Sequence, residues 1–135
     1  MSNFLAITPE SRYYRVMKPE ISYEDFAKLD IRIGTVVAAE AVPETDKLIK
    51  CAVDFGERPE GLGICTIVSG IREWKKPGDL VGKQLPYIVN LAPKVIKGIE
   101  SQGMLLAGAP PADGGDVGLV LLHPEHPVDP GVQLK

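Results

Sequence analysis

"NLAPKVIKGIESQGMLLAG", residues 90–108, is the stretch on which the reading of this chain turns. Its two ends are apolar, and between them lies a polar segment punctuated by Pro93, Gly98 and Gly103. Polar residues broken by Pro and Gly between apolar runs read as a loop joining two core strands. Pro93 is expected to end the first strand, and Ser101 and Gln102 to enter the second facing a ligand. The residue types suit nucleic acid: phosphates call for cations, and bases call for amides, hydroxyls and apolar surface. Lys94 and Lys97 are therefore candidates for phosphate. Asn90, Ser101 and Gln102 are candidates for hydrogen bonds to bases or riboses, and Met104 for packing on a base. Gly98 and Gly103 would let a ligand approach the backbone closely.

Working back from this stretch, "QLPYIVNL" reads as a fourth strand. Before it, "KPGDLVGK" has room for one helical turn at most. "ICTIVSG" reads as a third strand, and "LIKCAVDF" as a second with Ile49, Cys51, Val53 and Phe55 on one face. "IRIGTVVAAEAV" is the first, with Gly34 expected to mark a bulge or sharp bend. "ISYEDFAKLD" predicts a short helix opened by Ser22 and Asp25 as a capping box, with Phe26 and Leu29 facing inward. Working forward, "GMLLAG" is a fifth strand, "GLVLLHP" a sixth, and "VDPGVQLK" a turn with a last short strand. Three strands, one helical turn and two more strands, with glycine-marked bends, predict an all-β domain: a five-stranded Greek-key barrel of the OB type. In such barrels the loops after strands one and four flank the binding face. Here those are "AVPETDK" and the stretch quoted first, so Lys47 and Lys50 join the candidate RNA-binding residues.

At 135 residues the chain is read as one domain. The formal net charge is −3, which argues against a simple polycation that coats nucleic acid. The cations gather in the middle, and residues 101–135 hold Asp113, Asp116, Glu125 and Asp129 against Lys135 alone. An anionic ligand should therefore bind the middle. No apolar run approaches the roughly 20 residues of a membrane helix. The opening "MSNFLAITPE" has no basic, apolar signal-like pattern, so a cytoplasmic protein with no membrane partner is expected. Cys51 and Cys65 sit among apolar neighbours and read as buried free thiols. Phosphate-loop, dinucleotide and nucleophile-elbow motifs are lacking, and "HPEH" has poor spacing for a metal. No catalysis, metal or other cofactor is expected.

"LDIRIGTV", "ETDKLIK", "IVSGI", "LVGKQ" and "NLAPKVIKGIESQGMLLA" follow one another in the order and spacing of the tRNA-binding OB domain, and the chain resembles that family from about Ile21 to its end. The family includes stand-alone dimeric tRNA-binding proteins, the C-terminal domain or β chain of methionyl-tRNA synthetase, and export-chaperone-like relatives. The resemblance implies non-catalytic binding of tRNA by its shape, through a cationic face of a homodimer. It also admits an accessory role to methionyl-tRNA synthetase and, as the alternative, binding of unfolded polypeptide. On it the chain divides into a leader (1–20), the OB-fold domain (21–108) and a C-terminal extension (109–135). The extension, with the N-terminal helix, would build the dimer interface. Two departures weaken the charge of the site: Ala92 stands where the family commonly has lysine, and Lys97 where it favours arginine, a planar bidentate donor. Arg32, two residues from Asp30 on one strand face, is expected to pair with it. Trp74, beside Arg72, Lys75 and Lys76, is expected to be a packing residue.

Overall fold

The long first strand organises the molecule, and its shape follows from its side chains. In the computed structural model, which describes residues 17–57, 62–108 and 118–135, β1 runs over Ile31–Ala41. β-Branched residues crowd its pleated surface: Val36 points into the core, while Ile33 is buried on the opposite face. Its register on the neighbouring strand shifts between Val36 and Ala38. That irregularity lets the first half of β1 pair with one strand and the second half with another. The second half pairs antiparallel with β2 (Ile49–Asp54), which pairs with β3 (Ile64–Ser69). The first half pairs with β4 (Gln84–Ile88), Gly34 lying opposite Leu85. The predicted bend at Gly34 is thus corrected: its ladder pairing continues unbroken. A Cβ there would stand 2.4 Å from Val53 Cγ1 and 2.6 Å from Phe55 Cε1. The glycine serves core packing, and the bulge lies two residues further on.

Beyond β4 the predicted long loop carries structure of its own. β5 (Lys94–Ile96) and β6 (Ile99–Ser101) form a hairpin, followed by β7 (Met104–Leu105) on β4. The sheet order is β3-β2-β1-β4-β7, and hydrogen bonds from Ser101 and Gln102 to β3 bring the chain back to the other edge. The strands therefore nearly close into the expected OB-type barrel. The core within it is led by Ile49, Val53, Phe55, Ile67, Leu85 and Tyr87, all 2% exposed or less. Phe55 meets Tyr87 edge-on at 5.5 Å between ring centroids. One 3-10 turn, Pro77–Asp79, stands between the third and fourth strands, as the short Gly/Pro-rich segment predicts.

The predicted fifth strand breaks at Leu106 into β7 and β8 (Ala107–Gly108), and β8 pairs with β9 (Val120–Leu121). The last strand, β10 (Gln133–Leu134), adds to β1 beside Ile31 and Arg32. Gln84 ties this segment down: its Nε2 donates to the Val128 carbonyl (2.6 Å), and its Oε1 accepts from the Val128 amide (2.9 Å). Helix α1 (Tyr23–Ala27) has the predicted Ser22/Asp25 capping box. The inward orientation of Phe26 and Leu29 is corrected, because both are more than a third exposed and the helix buries nothing. Residues 1–16, the greater part of the expected leader, lie outside the described residues, as do 58–61 and 109–117. Cys51 and Cys65 are free and buried. Burial pushes the Cys51 thiol up to about 11 and raises that of Cys65. No helix among the described residues is long and apolar enough to cross a membrane.

Candidate nucleic-acid interface

The β5–β6 hairpin presents the lysines, and its turn explains why. Lys97 and Gly98 are its two central residues, with φ of 51° and 80°. Two successive positive φ values make a type I′ turn, whose twist matches that of the strands it joins. Gly98 adopts this readily; Lys97 is a non-glycine residue in the left-handed region, its side chain exposed at the tip. Lys94 pairs with Ser101 across the hairpin and Ile96 with Ile99. Strand alternation therefore puts Lys94 and Ile96 on the face that looks back at the barrel, and Val95 and Glu100 on the other. Under that inner face lies a slot of about 430 Å³. Val68, Leu91, Ala92, Ile96 and Met104 make it largely apolar, with Lys94, Ser101 and Gly103 completing the lining.

Three polar residues expected to meet a ligand make hydrogen bonds within the fold. Ser101 is buried; its Oγ accepts from the Val68 amide (3.0 Å) and donates to the Gly103 carbonyl (3.3 Å). Gln102 clasps Thr66 twice: the Gln102 amide donates to the Thr66 carbonyl, and its Oε1 accepts from the Thr66 amide, each at 2.8 Å. Asn90 Nδ2 donates to the Lys28 carbonyl (2.7 Å), and its Oδ1 accepts from the Asp30 amide (2.9 Å). Each bond satisfies a backbone group that strand pairing leaves open, the requirement that places polar side chains at a barrel seam. Gly103 belongs to the same seam. A Cβ there would lie 2.9 Å from the Ile88 carbonyl oxygen and 3.1 Å from Ile67 Cδ1, so its close approach is to the barrel. Pro93 precedes β5, whereas β4 ends at Ile88.

The remaining candidates are on the surface. Lys94, Lys97 and Lys47 are exposed, and among the described residues none has a salt-bridge partner. Met104 is 46% exposed at the slot. Lys50 faces Val68 directly across the β2–β3 ladder, so its side chain leaves the sheet on the slot side. Its ammonium lies 3.7 Å from Glu40 Oε1, and Glu40 is its register partner on β1. The loop bearing Lys47 is held from outside. Arg72 Nη1 donates to the Thr45 carbonyl and, at 3.5 Å, to that of Val42; the Arg72 amide donates to the Lys47 carbonyl (3.0 Å). Sequence reading missed Arg72, Glu40 and Val68 as parts of this surface. The alternation of β3 marks Val68 as outward, but nothing local points from Arg72 to a loop 25 or more residues earlier. Arg32 and Asp30 form the expected pair, bidentate at 2.8 and 3.0 Å.

A second concavity, about 330 Å³, opens on the outer side of β1 and β4. Ile31, Ile33, Pro86, Leu106, Leu122 and Leu134 line it with other apolar residues and His123, and it has almost no polar surface.

The family sequence model described as "Putative tRNA binding domain" matches residues 31–133, taking in the barrel, the hairpin and β10. The chain belongs to this tRNA-binding domain family. Among curated proteins it is 47% identical over 116 residues to the methionine–tRNA ligase of Porphyromonas gingivalis, and 46% over 114 residues to that of Methanococcoides burtonii. These matches cover 86% and 84% of this chain but 16% of each ligase, so the chain spans about a sixth of their length. Among solved structures it is similar to a MetRS related protein from Pyrococcus horikoshii, with a TM-score of 0.76 and 35% identity over 87% of this chain and all of that one. It is also similar to the chaperone CsaA from Bacillus anthracis str. Ames, at 0.73 and 35% over the same shares. The family is that of a non-catalytic binding module.

Proposed function

We propose that this chain binds structured RNA, tRNA foremost, through a cationic surface made by the β5–β6 hairpin and the adjoining outer face of β2 and β3. The observation that carries the reading is the hairpin itself. Its polar side chains are spent on clamping it to β3, and its two lysines are left exposed without carboxylate partners. Lys94, Lys97, Lys47 and Lys50 supply phosphate contacts, with Met104 as apolar surface for a base. Asn90, Ser101 and Gln102 hold the frame. The likeness to the methionine–tRNA ligases supports a role as part of, or accessory to, such an enzyme, delivering RNA affinity and no chemistry. The test is a titration of bulk tRNA across salt. Lys94→Ala is expected to weaken binding and lower the log–log salt slope by about 1. Unchanged affinity and slope would remove the hairpin from the site.

The working form is a symmetric homodimer. The apolar groove on β1 and β4 and the exposed Ile21, Tyr23 and Phe26 are apolar surface left facing water. A second copy burying them by an isologous contact would account for both. Sedimentation at micromolar protein tests this; a monomer there would count against it.

One observation favours a second reading. The slot beneath Lys94 is lined mainly by apolar side chains, which suits an unfolded polypeptide, and the chain is similar to the chaperone CsaA. Salt-insensitive binding of an unfolded peptide, with no tRNA shift at low salt, would establish that reading over the first.

A further inference from the structure

We infer that the slot under the hairpin takes one unstacked nucleobase of the RNA and holds it without reading its identity. This rests on the RNA-binding reading above and gives it a substrate class: RNA with at least one base free to leave its stack.

The slot is lined by Val68, Leu91, Ala92 and Met104, and is bounded on the hairpin side by Lys94 and Ile96. A planar base has two apolar faces and a charged phosphate on its sugar. Such a ligand meets apolar floor and lysine together, whereas an apolar peptide side chain has no use for the cation. Lys50 lies beside Val68 with its charge partly offset by Glu40 at 3.7 Å, so Lys94 is the principal cation of the slot. The charge pattern thus favours a nucleotide over a neutral apolar chain. A slot read by hydrogen bonds would also need unspent donors and acceptors. Ser101 is the only hydroxyl in the lining, and its oxygen already accepts from Val68 and donates to Gly103. Gln102 Oε1 is likewise taken by Thr66. With its polar groups committed, the slot offers apolar contact and a cation, a combination that tolerates any base because every base has an apolar face. A fully paired A-form duplex keeps its bases stacked inside and has nothing to insert.

The experiment uses three short blunt RNA duplexes that differ at one position: fully paired, carrying one bulged nucleotide, and carrying an abasic residue at the bulge. Wild-type protein is expected to bind the bulged duplex about tenfold more tightly than the paired one, with the abasic duplex falling back to the paired value. Changing the bulged base is expected to move affinity by less than about threefold. Met104→Ala, at a half-exposed side chain whose loss the fold tolerates, is expected to erase most of the bulge preference while leaving the salt slope as it was. Equal binding of all three duplexes, with the ordinary salt slope, would overturn the slot assignment and leave the RNA reading standing. No binding of any of them or of tRNA at low salt would overturn both. Strong dependence on the bulged base would overturn the claim that its identity goes unread. Absence of bulge preference, with an apolar peptide bound by wild type and lost in Met104→Ala, would give the slot to polypeptide.

Discussion

Two concavities of the barrel, the outer groove and the slot under the hairpin, differ in character. The groove on β1 and β4 has apolar walls and almost no polar surface. The slot under the hairpin has an apolar floor but a lysine at its side and another on the neighbouring strand. Both are built on strand surfaces facing away from the barrel interior, so the difference lies in what covers them. The groove is bordered by the C-terminal segment, whose last strand adds Leu134 beside Ile31. The slot is roofed by a hairpin whose alternation brings Lys94 and Ile96 inward together. An all-apolar wall gains most from another apolar surface, through loss of contact with water. A mixed wall favours a ligand with an apolar face and a negative group. If the proposed homodimer and RNA site are right, one small barrel would separate assembly from ligand binding by placing lysines at the slot and not at the groove.

Breaking that separation on the assembly side should have the largest effect. Leu122→Asp puts a carboxylate in the groove at a half-exposed position and is expected to weaken dimerisation by at least about a hundredfold, while the RNA salt slope per protomer is retained. Sedimentation and tRNA titration on one sample check both. Beneath both concavities, the core thiol gives a pH signature that treats the two sides alike. Burial raises the Cys51 thiol above its unfolded value, so the folded state holds its proton where the unfolded state has lost it. That contribution to stability is fully present below pH 9 and is expected to be lost progressively as pH rises toward about 11, on the order of 2 kcal/mol. Denaturant melts across that window should show the fall, reduced in Cys51→Ala and reduced further when Cys65 is also replaced by alanine, since burial raises both thiols.

On the ligand side, Lys94→Glu replaces the slot cation by an anion. A drop in tRNA affinity of about tenfold or more with dimerisation untouched is expected, measured by gel shift and sedimentation together. Arg72 sharpens the comparison by acting from a distance. Arg72→Ala frees the Thr45 carbonyl, leaves that of Val42 with its bond from the Thr45 hydroxyl, and is expected to speed amide exchange in the 42–47 loop and weaken tRNA binding by about fivefold. Arg72→Lys keeps the charge without the planar fork, so loop exchange should resemble that of the alanine variant. Full protection in the lysine variant would show that charge alone holds the loop. The smallest effect concerns Glu40, whose carboxylate faces Lys50 at 3.7 Å on an exposed surface. Glu40→Gln is expected to raise tRNA affinity by about twofold, read most easily at low salt.

Much of the barrel was legible before any coordinates. β-Branched alternation marks β1, β2 and β3, and Ser22 with Asp25 marks the start of the helix, because strand and cap signals act over a few residues. The hairpin within residues 94–101 was not legible. Its turn is Lys97-Gly98 rather than Asn-Gly or Asp-Gly, and its strands are three residues each, too short for alternation to stand out. Phe26 and Leu29 misled for a related reason: apolar spacing names a face but not what that face meets. Gly34 and Gly103 were read as backbone devices, whereas each is set by a neighbour remote in sequence, Phe55 for one and Ile88 for the other.

By itself the sequence determined the first four strands, the single helical turn before the fourth, the pairing of Arg32 with Asp30 and the presence of Lys94 and Lys97 between core strands. All of these follow from residue type and short-range spacing. Tertiary structure alone decided which polar residues are free to meet a ligand. Asn90, Ser101 and Gln102 have the right chemistry for RNA, yet each bonds backbone groups of the fold, and the Val68 amide met by Ser101 is a buried one that would be costly to leave unpaired. The partners of those three side chains are Lys28, Asp30, Val68, Gly103 and Thr66. What remains exposed on the hairpin is charge, and what lies beneath it is an apolar slot.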